Sequence, residues 1–160
     1  MLRIPAAVVT AVCLLGLAGC KPAPAPFNPD DPAVLAAIDS VVQGAMEGAA
    51  AADADKVLAM AEGKGELTFI TGDLLLSGLE PIRAQFRQTY RGVRSQEQTI
   101  VQKRVRLLSP DVAVVMQVSE GTYTDKAGWT SAPVGIGTTI VFVREDGQWR
   151  ARHAHQSIAP

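Results

Sequence analysis

Two histidines, His153 and His155, stand two residues apart near the end of the chain, in the run Trp149-Arg150-Ala151-Arg152-His153-Ala154-His155-Gln156-Ser157. Read as a strand, strict period-two alternation puts Trp149, Ala151, His153, His155 and Ser157 on one face, and Arg150, Arg152, Ala154 and Gln156 on the other. Two arginines make the second face the wet one, so the imidazoles are expected to point to the sheltered side. Four roles suit such a pair: structural hydrogen bonding, polar anchoring of a ligand, general acid–base transfer and metal ligation. Histidine titrates near neutral pH, which suits it to proton transfer. A His-x-His strand places both rings on one side, but zinc needs at least a third protein ligand. No Cys, Asp or Glu close in sequence supplies one, so no metal is expected. Candidate neighbours in the sheltered space are Arg83, Phe86 and Tyr90 from a helix, and Gln117, Trp129 and Thr139 from strands. The catalytic residue is not named by this pattern; His153 and His155 are the candidates. Asp55, Asp73 and Glu80 fall at helix starts or turns, where capping explains an acid. There is no Ser-His-Asp spacing, phosphate-cradling glycine loop or nucleotide fingerprint, and no cofactor is expected.

Several elements must position these groups. Asp31-Pro32 suits an N-cap followed by proline at the first helical position, and Val34, Ile38, Val41, Ala45 and Ala49 then recur at helical spacing. Asp53 can cap a shorter second helix ended by Gly63 and Gly65. Leu67–Ile70 and Leu74–Leu76 read as short strands around a Thr71-Gly72-Asp73 turn. A third helix starts near Leu79, with Ile82, Phe86 and Tyr90 on one face and Arg83, Arg87 and Arg91 beside it. Long alternating strands follow: Gln96–Leu108, Val112–Tyr123, Trp129–Arg144 and Gln148–Ile158. The short turns between them indicate an antiparallel meander. Helices first and strands later predict an α+β domain. Gly135 and Gly137 inside a long strand require a bend or a close neighbour. Met46, Met60 and Met116 read as core filler.

The chain has 160 residues and a formal net charge of −1. It has no basic block, so nucleic acid is not expected as a partner. At the front, Arg3, the apolar run from Ile4 to Leu17 and the small residues before Cys20 have the pattern of a secretory signal. The apolar run is too short and Gly-rich for a stable spanning helix. The only cysteines are Cys13 and Cys20, so no disulfide is available to the folded part. Lys21-Pro22-Ala23-Pro24-Ala25-Pro26 favours an extended polyproline spacer.

Leu17-Ala18-Gly19-Cys20 resembles the lipobox of bacterial lipoproteins. The resemblance implies cleavage before Cys20 and lipid on its thiol and new amino terminus, a durable membrane tether. The domains are then a signal peptide over 1–19, a lipidated cysteine and Pro/Ala tether over 20–30, and a folded domain over 31–160. The location implied is the cell envelope, on the periplasmic face of the outer membrane where two membranes exist.

Three local patterns resemble the nuclear transport factor 2-like superfamily, including SnoaL-like proteins and ketosteroid isomerases. They are Ala51-Ala52-Asp53-Ala54-Asp55 between helices, Ser77-Gly78-Leu79-Glu80-Pro81-Ile82-Arg83 entering the third helix, and Asp146-Gly147-Gln148-Trp149-Arg150 followed by His153-Ala154-His155-Gln156-Ser157. The last is similar to the final strand of the association domain of calcium/calmodulin-dependent protein kinase. The fold implied packs N-terminal helices in the concave face of a strongly bent antiparallel β-sheet, an α+β cone with a hollow. The relatives also imply a homodimer paired through the outer face of the sheet. Ketosteroid isomerases use a carboxylate base with a tyrosine and a protonated aspartic acid. Here the first helix has no tyrosine, Phe69 falls near the base position and Thr139 near the acidic donor, so that mechanism is not supported. The function expected is a lipid-anchored, non-catalytic binding or assembly module holding a small, mostly apolar ligand. The alternative is an isomerase, cyclase or dehydratase using a pocket histidine as general base.

Overall fold

The structure, a computed structural model, describes residues 26–159. The signal, Cys20 and most of the tether lie outside the described residues. Helix α1 (Pro32–Ala50) begins where the Asp31 carboxylate accepts the backbone N–H groups of Ala33 at 2.9 Å and Val34 at 3.4 Å. Its apolar stripe buries Ile38 and Val42. Asp53 caps α2 (Ala54–Leu58) in the same way, and a 3₁₀ turn over Ala59–Ala61 follows. The two helices approach so closely at Gly48 that a Cβ there would lie 2.5 Å from the Val57 backbone nitrogen.

A hairpin of β1 (Thr68–Thr71) and β2 (Leu74–Ser77) leads into α3 (Leu79–Tyr90). Three long strands and their return complete the chain: β3 (Val93–Ser109), β4 (Val112–Asp125), β5 (Val134–Glu145) and β6 (Gln148–Ala159). The sheet order is β2-β1-β6-β5-β4-β3, antiparallel except where β1 runs parallel to β6. The expected α+β architecture is present, with helices packed against a six-stranded, curved, unclosed sheet. The core lies between them, around Phe142, Ile38, Leu58, Ile82 and Val115.

The strand start that departs furthest from the sequence expectation is that of β5. Strand β5 starts at Val134, and residues 129–133 form a loop tied to the end of β4 by the Thr124–Thr130 bridge and by backbone hydrogen bonds from Asp125 to Trp129 and from Ser131 to Tyr123. The Asp125 carboxylate accepts the Trp129 N–H at 2.9 Å, drawing the chain into a turn, and Pro133 has no N–H for a ladder.

Candidate functional site

The inner face of the sheet is set by pairing. From β4 to β6, Ala113, Phe142 and Ala151 share a rung, as do Val115, Ile140 and Ala154, and Gln117, Thr138 and Gln156. The register shifts between the first two of these rungs. Val141 pairs with His153 and Phe142 with Ala151, so Arg152 is an extra residue, a β-bulge. Beyond a bulge every side chain changes face. Trp149 and Ala151 are therefore buried inward, as the alternation predicts, whereas from residue 153 onward it is Ala154, Gln156 and Ile158 that line the interior.

This corrects the central expectation from the sequence. His153 and His155 stand on the outer face. The His153 Nδ1 lies 2.8 Å from the Thr68 hydroxyl, a brace between β6 and β1. His155 is exposed and borders a depression of ≈ 550 Å³ on the outer face with Thr139, Ser157, Met116 and Val118. Thr139 pairs with Met116 and His155 and shares their outward direction, so it too lies outside the hollow. Among the described residues no group of three His, Cys, Asp or Glu comes together around a common point.

Two further expected pocket residues lie elsewhere. Trp129, 58% exposed, stacks edge-on against Tyr123 at 5.7 Å in the β4–β5 loop. Arg83 is held by acids at the helix junction: its Nε is 2.8 Å from Asp55, and it also pairs with Glu80 and, at 3.7 Å, Glu62. Arg87 reaches the same Asp55 at 2.9 Å and 3.0 Å. Its hydrogen bond is the main cause holding the Asp55 carboxyl below the ordinary aspartate value. The arginine line of α3 is a clamp onto α2.

The hollow itself has a volume of ≈ 370 Å³ and opens between α1, α3 and the sheet. Phe86, Tyr90 and Gln117 line it. Phe69, Phe86 and Tyr90 form a chain of aromatic contacts with centroids 5.3 Å and 5.7 Å apart. Met46 and Met60 pack against the core, as read from the sequence, and also line the hollow, whereas Met116 faces outward. The sequence reading missed a set of neutral amides, Gln85, Gln96, Gln98 and Gln156, which join Gln117 around the space. Their spacing was visible as alternate residues in β3, but Gln156 became legible only with the bulge. Among the described residues, the lining contains no histidine, carboxylate, lysine or arginine. Among the described residues its one titratable group is Tyr90, whose phenol burial pushes up from its ordinary value, opposed by a smaller effect of hydrogen bonding with Gln96.

Lys103 stands opposite Gln117 in the β3–β4 register and is neutralised by Asp39 of α1 at 2.6 Å. Gln117 is buried, with 8% of the residue exposed. Its amide nitrogen donates to Met46 Sδ at 3.3 Å, and its Oε1 has no partner.

The architecture has many relatives. A protein from Xanthomonas campestris named as a calcium/calmodulin dependent protein kinase II association domain is 28% identical with a TM-score of 0.62, covering 80% of this chain and 86% of that one. The association domain of the Caenorhabditis elegans kinase is 21% identical, TM-score 0.62, over 78% of this chain and 95% of that one. A protein from Streptomyces avermitilis named as a dehydratase of the NTF2-like family has a TM-score of 0.69 at 14% identity, over 80% of this chain and 97% of that one. No curated protein matches by sequence. Residues 36–160 match the family model of the calcium/calmodulin dependent protein kinase II association domain, and the bent sheet over a helix-closed hollow is the nuclear transport factor 2-like cone; the chain belongs to that association-domain family.

Proposed function

We propose that the chain is a lipid-anchored, non-catalytic binding module of the cell envelope that holds a small, mostly apolar ligand in the hollow. The observation that carries this reading is the lining: apolar side chains and neutral amides around ≈ 370 Å³, within the range of about 300–1,000 Å³ usual for ligand clefts. The enzyme alternative required His153 or His155 as base, and neither reaches the hollow. The lipobox-like sequence supports anchoring at Cys20. The tether joins α1 at its N-terminus, whereas Val42, Ala45, Met46 and Ala49 border the hollow from its C-terminal half. Homodimerisation is part of the proposal: Val101 (61% exposed), Val118 (47%) and Met116 (36%) leave apolar surface on the sheet.

Native mass spectrometry of protein purified from its own envelope tests the binding role. A small neutral mass retained in gentle conditions and released on unfolding is the expected outcome. Protein that carries nothing, and that binds no member of an amphiphile library, overturns it.

A further inference from the structure

The polar groups of the hollow are arranged by the sheet. Thr71, Gln156, Thr138 and Gln117 follow one another across β1, β6, β5 and β4 on a single rung, with Lys103 of β3 at its end. Lys103 is already matched by Asp39, and Arg83 and Arg87 by Asp55, so a negatively charged ligand finds no free cation. A positively charged ligand finds no carboxylate in the lining among the described residues. An ion taken out of water without a counter-charge is strongly disfavoured.

Against this neutral background one atom is singular. Gln117 Oε1 is buried and unpartnered, while the other end of the same amide is turned toward Met46 Sδ. Buried carbonyl oxygens normally accept a hydrogen bond. Water entering from the opening can serve the free protein, and a ligand donor displaces it.

Resting on the reading of the hollow as a binding site, we propose that it selects an uncharged amphiphile, an apolar body carrying a neutral hydroxyl or amide, with Gln117 Oε1 accepting the hydrogen bond from that group. The apolar body lies along Phe69, Phe86, Val115 and Ile140, which border the same space. Selection is by head-group charge more than by chain shape, because aliphatic contacts are non-directional and the amide is not.

Four probes of equal chain length separate these effects: 1-octanol, octanamide, octanoate and octylammonium, titrated calorimetrically at neutral pH into full-length chain carrying Cys20→Ala. Octanol and octanamide are expected to bind at least about tenfold more tightly than either ion. Gln117→Leu, checked for folding by circular dichroism, is expected to weaken the neutral pair about fivefold to tenfold, as for loss of one hydrogen bond, and to leave the ions unchanged. Octanoate or octylammonium binding as tightly as octanol overturns the charge selection while leaving the hollow a binding site. Neutral binding unaltered in folded Gln117→Leu overturns the role of its oxygen. If no probe binds, this inference falls, while the binding reading is decided by the native mass spectrometry and library above. The comparison among probes in the unsubstituted chain stands even if the variant does not fold.

Discussion

At the scale of single residues, Arg152 ties together segments far apart in the chain. Its Nε and Nη2 meet Glu145 at 2.6 Å and 2.5 Å, a bidentate fork, and its Nη1 donates to the Ala61 carbonyl at 2.7 Å. Gly65 lies against it, since a Cβ there would overlap the guanidinium. The hydrogen bond from Arg152 is the main cause holding the Glu145 carboxyl below its ordinary value, against an opposing desolvation. A carboxylate with a depressed pKa stabilises the fold above its unfolded value, and that stabilisation is lost as pH falls through the folded value. Urea midpoints measured across the acid range should therefore differ most between the unsubstituted chain and Glu145→Gln near neutrality, and converge in strong acid. Arg152→Lys should lower the melting temperature by several degrees, because one ammonium cannot reproduce the planar fork and the Ala61 bond together. A melting curve identical to that of the parent would mean that the fork is incidental.

At the scale of elements, the junction of α1 and α2 depends on the absence of a side chain. Alanine normally stabilises a helix interior relative to glycine by about 1 kcal/mol. At Gly48 the added Cβ would sit 2.5 Å from Val57 N and 2.8 Å from the Lys56 carbonyl carbon, both backbone atoms that move only with α2. Overpacking of this kind costs about 1–3 kcal/mol, so Gly48→Ala is expected to destabilise on balance. Equilibrium urea unfolding measures the sign directly, and a stabilised variant would show that α2 can retreat freely. The contact of Phe86 with Tyr90 shows the opposite case, where spacing in one helix was enough to place the two rings together. The i, i+4 positions of α3 fall on one face whatever surrounds them.

At the scale of the molecule, the outer sheet face and the hollow have separate consequences. A homodimer through Met116 and Val118 would cover exposed apolar surface and leave the opening beside α3 free. Light scattering of the unsubstituted chain should give twice the monomer mass. Val118→Glu should give a monomer with unchanged circular dichroism, since Val118 is 47% exposed and its removal leaves no cavity. A monomeric parent would dismiss the proposed pairing without touching the binding role of the hollow.

Much was legible from the residues alone, because much of it is local. Asp31 and Asp53 cap helices through atoms two or three residues away. Asp146-Gly147 turns β5 into β6 with φ of 49° and 80°, the left-handed pair that a two-residue hairpin uses. Order, number and type of elements follow from such signals together with hydrophobic period. The face on which His153 and His155 stand does not. Alternation is local only while a strand is unbroken, and the bulge at Arg152 is held by Glu145 in the neighbouring strand and Ala61 before β1. A contact across 91 residues leaves no mark in the spacing around His153, yet it turns the imidazoles outward and brings Gln156 in to face Gln117. Sequence thus determined the cone; tertiary contact decided that neutral amides, rather than histidines, line it.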